Sequence, residues 1–131
     1  MQKLAYIYLI LASFSGFASA EESLPPLLGS FEGPLVIGRA NMNLAFTFSE
    51  QNGEPQAAII SSGLGIYGLP AEYFSLEGVQ LLIRIPQLDA EYTGVLRLND
   101  AGEEIIRIDG EWFQSAEMVP VVLLPIDTPT L

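Results

Sequence analysis

The sequence predicts an all-β protein: a single antiparallel up-and-down barrel of about eight strands, preceded by a cleavable signal helix. Three observations carry that expectation. Residues 88–114 alternate apolar and polar side chains along two arms that fold back on each other. Short runs of the same kind recur at roughly 8–14-residue spacing through the rest of the chain, as they do in meanders and barrels. No helical repeat of apolar positions follows the first twenty residues.

The hairpin is the clearest element. Tyr92, Gly94, Leu96 and Leu98 share one face of its first arm, and Ile106, Ile108, Gly110 and Trp112 share one face of its second. Such alternation marks half-buried strands. Both sets are even-numbered, so opposed residues must sum to an even number, which pairing Asn99 with Glu103 achieves. The loop is then Asp100-Ala101-Gly102, a type I turn closed by a bulge with Gly102 in the left-handed conformation. Leu96 would face Ile106, Gly94 would face Ile108, and Tyr92 would lie over Gly110. A slip of one residue would turn Ile106, Ile108 and Trp112 out to water.

The remaining strands follow in chain order. Residues 21–30 are a lead-in held extended by Pro25-Pro26. Residues 31–37 form a strand in which Pro34 marks an edge or a bulge. Residues 42–49 form a second, with Met42, Leu44, Phe46 and Phe48 on one face. Asn52-Gly53 turns the chain into a third strand at 56–61. Residues 62–71, which include Gly63, Gly65, Gly68 and Pro70, break the rhythm and read as an irregular connection, where function tends to sit on a β scaffold. Strands at 72–76 and 79–85 lead into the hairpin, 117–124 is the last strand, and 125–131 is a loose tail. The barrel domain thus covers 31–124, and closing eight strands removes exposed edges.

Residues 1–20 read as a secretory signal: Met1-Gln2-Lys3, an apolar run over 4–17, then Ala18-Ser19-Ala20. The run falls short of the roughly 20 residues a membrane span needs; an uncleaved anchor is the alternative. The chain has no cysteine, so neither a lipidated cysteine nor a disulfide is available and the exported domain must stand on its core. A domain of this size buries roughly two-thirds of its unfolded surface, enough for one core. Once Lys3 leaves, Arg39, Arg84, Arg97 and Arg107 face sixteen acidic residues, a net charge of about −12. That field repels phosphate backbones and anionic lipid, which argues against nucleic acid and against stable membrane insertion. The destination is the periplasm or the exterior.

After the signal the chain has no His, Cys or Lys. The nucleophile systems built on those residues, Schiff-base chemistry and the usual zinc ligands are therefore absent, and no cofactor or metal is expected. Gly63, Gly65 and Gly68 show a G-x-G-x-x-G spacing with no helix to follow, so it does not read as a dinucleotide loop. Carboxylates are the only abundant reactive groups. In the register above Glu91 opposes Glu111 and Thr93 opposes Asp109, beside Arg97 and Arg107. This is either a hydrolytic carboxylate pair or an outward charged lattice, and the lattice is the simpler reading. Asp100, Glu103 and Glu104 lack the alternating spacing of a calcium loop.

Leu28-Gly29-x-Phe31-Glu32-Gly33-x-Leu35, Leu44-x-Phe46, Gly68-Leu69-Pro70, Ile85-Pro86, Tyr92-x-Gly94-x-Leu96 and Ile108-x-Gly110-x-Trp112-x-Gln114 stand in this order, closing with Val119-Pro120-Val121. Together they resemble a bacterial exported β-barrel domain found alone or ahead of a serine hydrolase of the α/β-hydrolase type. The resemblance implies a lipocalin-like barrel without catalytic residues. Where such domains carry an Asp-Ser-Pro-Asp-Gln-Gly-like loop, this chain has Ser61-Ser62-Gly63-Leu64-Gly65, and it reads as a stand-alone version with no hydrolase following.

Two functions are expected of such a barrel. One is binding a small apolar ligand, entering beside residues 62–71 where Tyr67, Tyr73 and Trp112 are the candidate contacts; Trp112 and Tyr92 equally fit simple core packing. A full set of bulky inward residues (Leu44, Phe46, Phe48, Leu81, Ile83, Leu96, Ile108, Trp112) would fill the lumen. The other is a protein-interaction module, a homodimer or a dock for an exported protein, covering outward Val119, Val121, Leu123, Leu82, Val95 and Ile60. The signal reading makes a direct prediction: N-terminal sequencing of the exported protein begins at Glu21, and a start at Met1 would mean a retained anchor.

Overall fold

The computed structural model describes residues 24–130. The expected signal, residues 1–20, lies outside them. The described chain is all-β. Nine strands form one antiparallel sheet curled into a half-barrel: β1 (Gly29–Ile37), β2 (Ala40–Gln51), β3 (Glu54–Ser61), β4 (Ile66–Pro70), β5 (Tyr73–Glu77), β6 (Gln80–Ile85), β7 (Ala90–Leu98), β8 (Ile105–Gln114) and β9 (Glu117–Ile126). Their order across the sheet is β4-β3-β2-β1-β9-β8-β7-β6-β5.

The meander is broken once, where β1 and β9, the two ends of the chain, pair in the middle of the sheet. The edges are β4 and β5, which follow each other in sequence with only Ala71 and Glu72 between them. Nine alternating strands give both edges the same direction. Two residues can bridge opposite edges only if the sheet curls until β5 carries on where β4 stops. Residues 62–71, expected to be irregular, hold this ninth strand: a 3₁₀ turn at Ser62–Leu64 leads into β4, which pairs with β3 through a bulge.

Side-chain alternation sorts core from surface much as the sequence suggests. Leu44, Phe46 and Phe48 of β2, Leu81 and Ile83 of β6, Leu96 of β7 and Ile108 and Trp112 of β8 are all buried in one cluster with Phe31, Leu35 and Ile59. Phe46 sits between Phe48 and Tyr92, at ring-centroid distances of 6.1 and 5.4 Å. Each such side chain contributes roughly 1.5–3 kcal/mol by leaving water. Leu27 of the lead-in is also buried against this cluster.

Three expectations are corrected. In the β7–β8 hairpin, the faces are as read except at Ile106, but the partners shift by two residues: Tyr92 opposes Trp112, Gly94 opposes Gly110 and Leu96 opposes Ile108. The loop is longer because the Asn99 carboxamide accepts from the Glu103 and Glu104 amides at 2.9 and 3.3 Å. A bulge next to Leu98 absorbs the odd residue, so Ile105 pairs there and Ile106, expected inside, is 42% exposed. Second, Val121 and Leu123 are buried and Val119 packs on the core, although an outward position was expected. The β8–β9 turn, Ser115-Ala116, makes Gln114 oppose Glu117, so odd residues of β9 share the face of even residues of β8. Third, the tail is not loose at its start: β9 runs to Ile126, and the Thr130 amide and hydroxyl donate to the Glu32 carboxylate at 2.7 and 2.9 Å.

One buried contact joins three central strands. The Tyr92 hydroxyl donates to the Val121 carbonyl at 2.9 Å, reaching from β7 past β8 to β9. It does so through the space left by Gly110, where a Cβ would collide with the Tyr92 hydroxyl and the Thr93 carbonyl. Burial first, and the charge of Asp109 second, push the Tyr92 phenol well above its ordinary range. A phenol held neutral in the fold contributes stability that is complete below the unfolded pKa, about 10, and is lost as pH rises above it. Chemical denaturation should therefore show stability falling above about pH 10, with a shallower fall in Tyr92→Phe. At neutral pH that variant should lose about 0.5–1.5 kcal/mol with the hydrogen bond to the Val121 carbonyl. Gly110→Ala should lose about 3 kcal/mol or more, or fail to fold.

Candidate functional site

The inward-facing side chains pack as one buried cluster, while the ion-paired side chains stand on the outer face of the sheet. The strand pairings arrange that face in rows. One row runs Ser75, Leu82, Thr93, Glu111, Pro120 across β5 to β9. The next runs Glu77, Gln80, Val95, Asp109, Val122. Between them the inward-facing row contains Gly94 and Gly110 as direct partners. Neither of these two paired positions carries a side chain. A trough of about 670 Å³ is lined by both rows and by the backbone of the two glycines.

Beside the trough, β9 presents Met118, Pro120, Val122 and Leu124 outward, with Met118 and Leu124 each 54% exposed. Phe113 of β8 opposes Met118 and is exposed too. Sequence reasoning missed this row because residues 118–124 are apolar throughout, so alternation cannot say which set faces in. The usable signal was the apolar run itself, which implies that both faces of the strand want cover.

The candidate carboxylates do not form a hydrolytic pair. Arg84 Nε donates to Glu91 Oε1 at 3.0 Å. Asp109 accepts from two arginines, Arg97 Nε at 2.9 Å on Oδ2 and Arg107 Nε at 2.7 Å on Oδ1. The Arg107 hydrogen bond, then that of Arg97, holds the Asp109 carboxyl below its usual range, so it stays an anion and cannot serve as a proton donor near neutrality. Glu111 lies opposite Thr93, not Glu91. Among the described residues no cluster of three or more acidic side chains is arranged to hold a metal ion. Asp100, Glu103 and Glu104 border a loop organised by Asn99 instead.

The three aromatic candidates do not converge. Tyr67 is 67% exposed on β4. Tyr73 on β5 lies under the Arg84 guanidinium, 5.1 Å from its ring centre, and borders a separate depression between β3 and β5. Trp112 is 1% exposed, and its indole N–H donates to Gln114 Oε1 at 3.0 Å while Gln114 in turn donates to the Leu88 carbonyl. It belongs to the core.

Comparison with known protein families, curated proteins and solved structures finds no match to this chain. The arginine pairings can be checked directly. Replacing Arg107 with Gln removes the main support for the Asp109 anion, so a carboxyl NMR titration should show its pKa rising toward the ordinary carboxylate range. An unmoved titration would mean that the pair does not persist in solution.

Proposed function

We propose that this chain is an exported, non-catalytic binding module, a lipocalin-like barrel of eight strands in which β4 and β5 act as one kinked closing strand, and that it works as a protein-interaction surface through its outer face. The observation that carries this reading is the contrast between a filled interior and an exterior with an unpaired apolar row on β9 flanking a trough. Contiguous exposed apolar surface on a small protein marks a contact site. A second copy is a poor occupant, since each chain carries a formal net charge of −11 and like charge opposes close approach. An exported protein partner fits better.

A small apolar ligand is the second reading, moved from the lumen to the trough, whose volume of about 670 Å³ is in the range of small-molecule sites. Native mass spectrometry of the exported protein, before and after organic extraction, separates the two. A protein-sized added mass that Val122→Lys abolishes supports the interaction module. A small mass removed by extraction supports the ligand. A bare monomer under both conditions would sink both readings.

A further inference from the structure

The charges in the trough are more specific than a general apolar contact requires. Asp109 is paired with both Arg97 and Arg107, a group of net charge +1, so it offers no free negative charge. Glu77 and Glu111 are exposed in the same trough, and neither takes part in an ion pair among the described residues. Glu77 lies on β5 and Glu111 on β8, three strand steps apart. Counting about 4.8 Å per step and the two-residue offset between their rows, the two positions lie about 16 Å apart. Between them the lining is Gln80, Leu82, Thr93, Val95 and the backbone of Gly94 and Gly110.

We infer that the trough receives an extended polypeptide segment of a partner protein, with two basic side chains about four residues apart and an apolar one between them. This rests on reading the outer face as a docking surface. In an extended chain, residues i, i+2 and i+4 point the same way, and i to i+4 covers about 13 Å. The long side chains of the outer basic residues cover the remaining few ångströms to Glu77 and Glu111, while the middle residue settles over Leu82 and Val95. The whole trough, about 19 Å over five strands, takes about six extended residues. The protein's negative field steers a basic segment toward it and rejects acidic ones.

The test uses a capped peptide, Gly-Lys-Thr-Val-Thr-Lys-Gly, titrated into the exported protein and followed by amide NMR. Shifts should cluster at Gly94, Gly110 and their strand neighbours, and affinity should fall several-fold to tenfold in Glu111→Lys and in Glu77→Lys. Glu104→Lys makes the same charge change on the β7–β8 loop, outside the trough, and should alter affinity less than about twofold. Equal weakening by Glu104→Lys, or shifts spread over the whole surface, would overturn the inference by showing diffuse charge attraction. A peptide with Thr in place of both Lys that binds the trough equally well would overturn the basic-pair inference yet leave the docking surface standing. If no peptide binds and the protein partner is also absent by mass spectrometry, both fall together.

Discussion

A single tyrosine hydroxyl reaching through the place of a missing side chain organises the centre of this sheet. Tyr92 donates to the Val121 carbonyl through the space at Gly110, so β7, β8 and β9 are tied together from the inside by one buried hydrogen bond. Deep burial raises the phenol's pKa, so the donor persists even in alkaline solution.

A second close approach does comparable work at the join of the two chain ends. Any Cβ at Gly33 would strike the Val122 carbonyl, so β1 and β9 can cross only with glycine there. Their ladder is short, Ser30 to Glu32 against Leu124 to Ile126, and Glu32 adds a grip on Thr130. With the ends joined in mid-sheet, the free edges fall at β4 and β5, where two linking residues hold them near each other. The interior is aromatic and aliphatic packing, and the paired arginines and carboxylates, the β9 apolar row and the trough lie on the outer face.

How much of this could be read beforehand varied by residue. The inward set of β2 and the faces of β7 and β8 were legible because polar residues interrupt apolar ones at every second position. The pairing of Leu96 with Ile108 was not, because parity fixes the face but not the partner, and the Asn99 side chain lengthened the loop by bonding two amides. Ile106 misled for the same reason. Ser115 and Ala116 turn the chain in left-handed conformations, φ 50° and 72°, with neither the Asn nor the Gly that would announce such a turn. Of the candidate site, the aromatic residues were visible in the sequence and the trough was not.

By itself the sequence determined the all-β class, the identity of most core residues and the lack of histidine, cysteine and lysine chemistry beyond the first twenty residues. These are local or compositional properties, set by side-chain period and residue type. Tertiary structure alone decided that the chain ends meet in the middle of the sheet, that Val121 and Leu123 face inward while Val122 and Leu124 face out, and that Gly94 lies against Gly110. Each of those depends on which strands are neighbours and in what register, and contacts between residues far apart in the chain leave no mark on the pattern within either one.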